Sequence, residues 1–236
     1  MVPVSDALAS CPLCGARHAR GFAEVDGKRY YRCEVCRLTF LDPVQLPSRE
    51  DERATYDQHR NDPADPRYRA FLSRLVEPLR AHLEPGMVGL DFGCGPGPTI
   101  GAMLAEHGIR VVNYDPLYRP SSSALEQRYD FVTCTEVAEH LHAPGRELAT
   151  IDRLLKPGGW LGMMTEMLED DAGFATWWYR RDPTHVAFFG RETMTWIAAR
   201  FGWEVHFPGR TVALFHKPAE RPVGLPPQRG GPESST

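Results

Sequence analysis

Four cysteines fall into two C-x-x-C pairs, Cys11-Pro12-Leu13-Cys14 and Cys33-Glu34-Val35-Cys36, with 18 residues between them. Two thiolate knuckles at this spacing can meet at one tetrahedral Zn2+, and Gly15 relieves the backbone after the first pair. Four thiolates leave no open coordination position, so the expected metal is structural. Its binding free energy, roughly 10 kcal/mol or more, would contribute to folding a small module. Disulfides in an exported protein are the alternative. Met1 to Ser10 lacks the basic start and apolar stretch of a signal peptide, which favours reduced thiols and a cytoplasmic location.

A second constellation is Leu90-Asp91-Phe92-Gly93-Cys94-Gly95-Pro96-Gly97. The glycines follow G-x-G-x-G, not the G-x-G-x-x-G of a dinucleotide pyrophosphate site. At a strand-to-helix turn of this kind, backbone N–H groups are expected to point outward and a ligand can come close. Asp91 would repel a pyrophosphate but can help hold an ammonium group. Asp115 ends the next apolar run 24 residues later, where a carboxylate accepts hydrogen bonds from ribose hydroxyls. Together they suggest a nucleoside with an amino-acid arm and no phosphates; a tight turn with no ligand is the alternative.

Two histidines are candidate general bases, because a proton-bearing acceptor needs a base near neutral pKa. His140 follows an apolar run ending at Cys134. His185 lies in Trp177-Trp178-Tyr179-Arg180-Arg181-Asp182-Pro183-Thr184-His185, after the run ending near Met167. Aromatic rings beside arginines there suggest a pocket for a planar or anionic substrate, with Trp178, Tyr179 and Arg180 as contacts. The alternative is a hydrophobic lid of Trp177, Trp178, Phe188 and Phe189, with His185 capping the next helix. Tyr56, His59 and Asn61 are candidates to cover the site from the connector. Glu136, Glu139, His140 and His142 carry donor atoms but are not read as a second metal site. Cys94 and Cys134 are read as small packing residues.

The elements that must position these residues follow from periodicity. Tyr68, Phe71, Leu72, Leu75, Val76, Leu79 and Leu83 recur at helical spacing, with Pro78 expected to kink or restart the helix. Apolar runs at Met87–Asp91, Arg110–Asp115, Tyr129–Cys134, Trp160–Met167, Trp203–Phe207 and Thr211–Lys217 then read as strands. Helical stretches fall at Thr99–His107, Pro144–Leu155 and Glu192–Phe201. This alternation implies βαβ units and a mostly parallel sheet. Pro208-Gly209-Arg210 permits only an antiparallel hairpin, so one edge strand should run against the rest. The expected organisation is a zinc ribbon over 1–42, a connector over 43–66, an α/β domain over 67–217 and a disordered tail over 218–236.

At this point the sequence resembles the class I S-adenosylmethionine-dependent methyltransferases. The resemblance rests on Asp91-Phe92-Gly93-Cys94-Gly95-Pro96-Gly97, on Asp115, on Tyr129 to Leu141 with its Glu136-Val137-Ala138-Glu139-His140-Leu141, and on Leu154-Leu155-Lys156-Pro157-Gly158-Gly159-Trp160. It covers roughly residues 70–217. It implies a Rossmann-like methyltransferase sheet, with S-adenosylmethionine held by Asp91, Gly93, Cys94, Gly95, Gly97, Asp115, Thr135 and Glu136. The Glu-Val-x-Glu-His-Leu form is similar to the small-molecule branch related to ubiquinone-biosynthesis O-methyltransferases, which implies a small-molecule acceptor with oxygen favoured. The chain departs from the pattern between Pro116 and Tyr129, where the family usually inserts a helix and a strand that contact the adenine.

Bulk properties limit the partners. Net charge is −4, and residues 1–50 carry seven Lys or Arg against six acids, so nucleic acid is not expected. No apolar run approaches the ~18 to 20 residues that span a bilayer. Two further readings remain: an RNA- or protein-modifying methyltransferase that docks its substrate on the ribbon, and a catalytically silent adaptor. The sequence carries no signal of oligomeric state.

Overall fold

The structure is a computed structural model, and it describes residues 9–58 and 61–219. Strands β1 (Ala19–Val25) and β2 (Lys28–Cys33) form a hairpin through Asp26 and Gly27, both at positive φ as a tight two-residue turn requires. Strand β3 (Thr39–Leu41) pairs with β2. Helix α1 (Arg49–Tyr56) starts at a capping box: the Ser48 hydroxyl accepts from the Asp51 N–H, and the Asp51 carboxylate accepts from the Ser48 N–H. Asp65 and Pro66 start α2 (Pro66–Arg80), which runs through Pro78 to Arg80 as one helix. The expected restart does not occur, because Pro78 sits in the last turn, where one lost backbone bond is tolerated.

The α/β part follows as β4 (Val88–Phe92), α3 (Thr99–Ala105), β5 (Arg110–Tyr114), β6 (Tyr129–Thr135), α4 (Pro144–Leu154), β7 (Leu155–Met164), β8 (Ala187–Phe188), α5 (Arg191–Phe201), β9 (Glu204–His206) and β10 (Val212–His216). Six of these strands form one sheet in the order β5-β4-β6-β7-β10-β9. Strands β4 to β7 pair in parallel, while β10 is antiparallel to both β7 and β9. The antiparallel strand is therefore not at the edge, contrary to the expectation from the hairpin. Val212 to Phe215 are all buried and need neighbours on both sides, whereas β9 exposes Glu204 and His206 and takes the edge. Only a short turn, Ser123–Leu125, lies between β5 and β6, so no described strand lies beyond β5.

Strand β8 was not expected. It leaves the large sheet and completes the N-terminal one, in the order β1-β2-β3-β8. One core face packs Leu72, Leu75, Val76 and Leu79 of α2 with Ile100 and Leu104 of α3 on the sheet. The opposite face joins Leu148, Ile151, Met194 and Ile197 to Leu13, Leu38 and Phe40 of the N-terminal module. The expected tail begins at Pro218, and its residues 220–236 lie outside the described residues, as does His59.

Candidate active site

The C-terminal ends of the parallel strands β4, β5, β6 and β7 lie along one edge of the sheet. Asp91, on β4, is buried and accepts a hydrogen bond from the Thr133 hydroxyl at 2.7 Å. Burial pushes its carboxyl up to about 6, with the Thr133 hydrogen bond opposing the rise and the Asp115 charge adding a smaller push. Gly93 and Gly95 take positive φ in the turn that follows. A Cβ on Gly93 would meet Val137 at 2.5 Å, and one on Gly97 would overlap the Asn61 main chain. The connector thus lies directly on the glycine loop, beside an open depression of about 550 Å3 that also includes Asp62, Pro63 and Arg119.

The outward N–H groups expected from the sequence are spent within the protein. Gly93 and Cys94 N–H donate to the Tyr114 carbonyl, and Gly95 N–H donates to Asp115 Oδ2 at 3.0 Å. Asp115 Oδ1 accepts from the Leu117 and Tyr118 N–H groups. The end of the neighbouring strand β5 thus takes these three donors, and the glycines leave main chain that a ligand can approach closely. Among the described residues, the buried acceptors without a hydrogen-bond partner include Thr135 Oγ1 at the end of β6 and Asn113 Oδ1 on β5. Tyr68, on α2, is pushed up to about 12 by burial, with Asp91 and Glu136 adding to it.

A second polar cluster adjoins the first. Glu136 holds a left-handed backbone, φ 52°, and its N–H donates to the Met164 carbonyl. Burial, then Glu139 and Glu166, push its carboxyl up to about 9. Glu139 is fully buried, neither of its carboxylate oxygens has a hydrogen-bond partner, and burial raises its pKa too. His140 Nδ1 lies 3.1 Å from the Thr184 carbonyl, and His185 Nδ1 lies 2.7 Å from the Tyr179 carbonyl. A carbonyl only accepts, so both Nδ1 atoms carry a proton, and the Nε2 atoms of His140 and His185 lie 3.9 Å from carboxylate oxygens of Glu139 and Asp182. Burial holds His185 below the usual histidine range. The rings are 4.7 Å apart, and Tyr56 lies edge-on to His140 at 5.1 Å. One ligating atom each from Glu139, His140 and His185 lies within 4.8 Å of the others, a set able to pass a proton or hold a divalent cation. His142 stands apart and pairs with Glu52 on α1 at 2.8 Å.

The four N-terminal thiols also converge: Cys11 and Cys36 sulfurs are 3.4 Å apart and those of Cys14 and Cys33 are 3.5 Å apart. Donation from Cys11 and Cys36 pulls Cys14 down to about 2, while Cys11 is pushed up to about 12 by its bond to Cys14. The two knuckles match in their backbone: Gly15 and Arg37, each following the second cysteine, both take positive φ.

Residues 56–206 match a family described as a methyltransferase domain. The chain belongs to this family. Among curated relatives, the ubiquinone biosynthesis O-methyltransferase of Leptothrix cholodnii is 34% identical over 121 residues, covering 38% of this chain and 52% of that protein. The protein of the same description from Burkholderia cenocepacia is 34% identical over 109 residues, covering 36% and 46%. The chain thus spans about half the length of the curated relatives it matches. A solved 1,6-didemethyltoxoflavin-N1-methyltransferase of Burkholderia thailandensis, with S-adenosylhomocysteine bound, aligns with TM-score 0.50 at 17% identity, covering 85% of this chain and 99% of that one. That likeness establishes the shared Rossmann-like fold.

Within this methyltransferase domain, the residues singled out from sequence divide into two groups. Asp91, Gly93, Cys94, Gly95, Gly97, Asp115, Thr135 and Glu136 gather at the strand ends, and Tyr56, His140, Tyr179 and His185 stand beside them. Tyr179 O–H lies 3.1 Å from Thr165 Oγ1 and 3.5 Å from Glu136 Oε2. Arg180 departs from expectation: it is 4% exposed and its guanidinium donates to Asp26 and to the Ala175 carbonyl, so its charge is spent on the N-terminal module. Trp178 is 63% exposed and packs edge-on against Tyr179. His185 does not cap a helix, since α5 begins at Arg191 after Gly190. The sequence reading left out Glu139, Thr133 and Tyr68 as site residues. Their signal was available only as a position on a strand end or helix face pointing at the glycine loop.

Proposed function

We propose that this chain transfers a methyl group from S-adenosylmethionine to a small molecule, with oxygen favoured as the acceptor atom. The observation that carries the reading is the pairing of buried Asp91 with the glycine turn that follows it. Asp91 meets no cation among its partners, and a ligand ammonium beside it would relieve the burial that raises its pKa. Asp115 would take the ribose, giving up the Gly95 N–H to do so. Gly93, Cys94, Gly95 and Gly97 would allow the approach, and Thr135 and Glu136 would close the end of the site. S-adenosylmethionine supplies a methyl group on a cationic sulfur.

The remaining work falls on the chain. Tyr56, Tyr179 and Glu136 would orient the acceptor, and orientation of this kind contributes about 7 to 11 kcal/mol. His185 Nε2 would accept the acceptor's proton, with Nδ1–H fixed on the Tyr179 carbonyl, and His140 and Glu139 stand where that proton can be passed on. Oxygen is favoured because the curated relatives are O-methyltransferases by description. The Cys11, Cys14, Cys33 and Cys36 cage fits Zn2+ by donor type and convergence, and would be structural.

Titration calorimetry with S-adenosylhomocysteine tests the reading. Binding to the wild-type chain is expected, and Asp115→Ala should weaken it by about 10-fold or more with an unchanged circular dichroism spectrum. A wild-type chain that gives no heat would be an adaptor on a methyltransferase fold.

A further inference from the structure

The segment between β7 and α5 carries Tyr179 and His185, and its main chain is gripped from two sides. The Leu41 N–H donates to the Val186 carbonyl at 2.8 Å, and β3 pairs with β8 so that Thr39 faces Phe188 and Phe40 faces Ala187. On the other side the Val186 N–H donates to the Glu139 carbonyl, also at 2.8 Å. His185 is the residue just before this shared Val186, and the Thr184 carbonyl just before it receives His140 Nδ1. The spacing of the two imidazoles is therefore set by main-chain bonds that continue into the last strand of the ribbon.

Side chains add two further ties. Asp26, at the tip of the β1–β2 hairpin, accepts from buried Arg180 at 2.7 Å, and the same guanidinium donates to the Ala175 carbonyl. Arg32 forms a two-bond contact with Asp171 at 2.7 and 3.3 Å. Beneath them Phe22 and Tyr30 of the ribbon meet Phe174 edge-on at 5.1 and 4.9 Å. Apart from β8, the helical structure in residues 165–190 is limited to two short 3-10 turns, Phe174–Thr176 and Trp178–Arg181. A stretch so poor in local structure holds one conformation only where its surroundings impose it.

We infer that the N-terminal ribbon is a positioning element of the active site: β3 and Asp26 hold residues 174–188, and through them fix His185 against Glu139 and His140. The ribbon is then not a docking arm for a distant partner. This rests on the role given to His185 above. Asp26 and Arg180 are positioning residues, acting through the segment rather than on the acceptor.

Hydrogen exchange of the full chain tests this, before and after zinc is withdrawn with a chelator. Stripping the metal should raise exchange at 174–188 by about 10-fold or more together with 19–41, while 88–92 and 110–114 stay protected. Affinity for S-adenosylhomocysteine should change by less than about 3-fold. Because chelation could unfold the whole chain, Asp26→Ala supplies a second arm. It should loosen 174–182 and shift the His185 imidazole nitrogen resonances, and Asp26→Glu should restore both. Ribbon exchange that rises while 174–188 stays protected would overturn the inference, as would Asp26→Ala leaving the His185 resonances in place. Failure of the wild-type chain to bind S-adenosylhomocysteine would instead defeat the methyltransferase reading and leave the exchange result standing.

Discussion

Asp91 shows at one residue how burying a carboxyl costs stability. Its single described hydrogen-bond donor is Thr133, and burial lifts its pKa from 3.8 to about 6. Between about pH 4 and 6 the folded chain keeps a proton there that the unfolded chain has released. The folded state thus binds more protons, stability falls as pH rises through this window, and the loss is complete above it. For a fully buried group the loss reaches about 3 kcal/mol. Asp91→Asn keeps an acceptor for Thr133 without the charge. It should therefore melt several degrees above the wild type at pH 7, with the two converging near pH 4, while binding S-adenosylhomocysteine about 10-fold or more weakly. Melting curves across that range check the first expectation and calorimetry the second; an Asn variant less stable at pH 7 would show that burial of the charge is not the cause.

At the scale of elements, α3 and the turn before it make opposite demands on glycine. Gly101 lies inside α3, and a Cβ there would sit 3.6 Å from Val111 and Asn113, an ordinary contact. Gly101→Ala should stabilise the chain by about 0.5–1 kcal/mol through helix propensity alone. Gly97→Ala should do the reverse, since its methyl would displace the Asn61 main chain and lift the connector from the loop. Thermal melting separates the two, and limited proteolysis should cut the connector of the Gly97 variant faster. Elements of this kind were legible in the sequence because they carry their own periodicity: β4 to β7, α3, α4 and α5 fall within a few residues of the apolar runs and helical stretches. Two-residue β8 has no period to read, and β10 was misplaced because a three-residue link fixes antiparallel pairing but not which partner goes inside. Arg180 was misread for a similar reason. An arginine among aromatics looks like a pocket until Asp26, 154 residues earlier, is brought beside it. The meeting of Glu139 and His140 with His185 likewise depends on tertiary contact that spacing cannot encode.

For the molecule as a whole, the question is whether the N-terminal four-cysteine module is separable, as a boundary at residue 42 suggests. Its contacts argue otherwise. Leu13, Leu38 and Phe40 share one core with Leu148, Ile151, Met194 and Ile197. The Gly145 N–H donates to the Pro12 carbonyl in the first knuckle, and a Cβ on Gly145 would overlap the Leu13 carbonyl. Arg37 reaches Glu192 on α5, and β8 belongs to the ribbon's sheet. A chain cut to residues 43–219 would therefore expose the pairing edge of β8 and an apolar face meant for Leu38 and Phe40, which invites edge-to-edge association. Calorimetry of the full chain with Zn2+ should show one cooperative transition, because the N-terminal module and the sheet share one core. Removing the metal should move that transition downward, by mass action on the folded state. The 43–219 chain should bind a hydrophobic dye and elute as aggregates. Two separate transitions in the intact protein, or a monomeric and dye-silent 43–219 chain, would mean that the shared core contributes little and that the two parts fold as independent units.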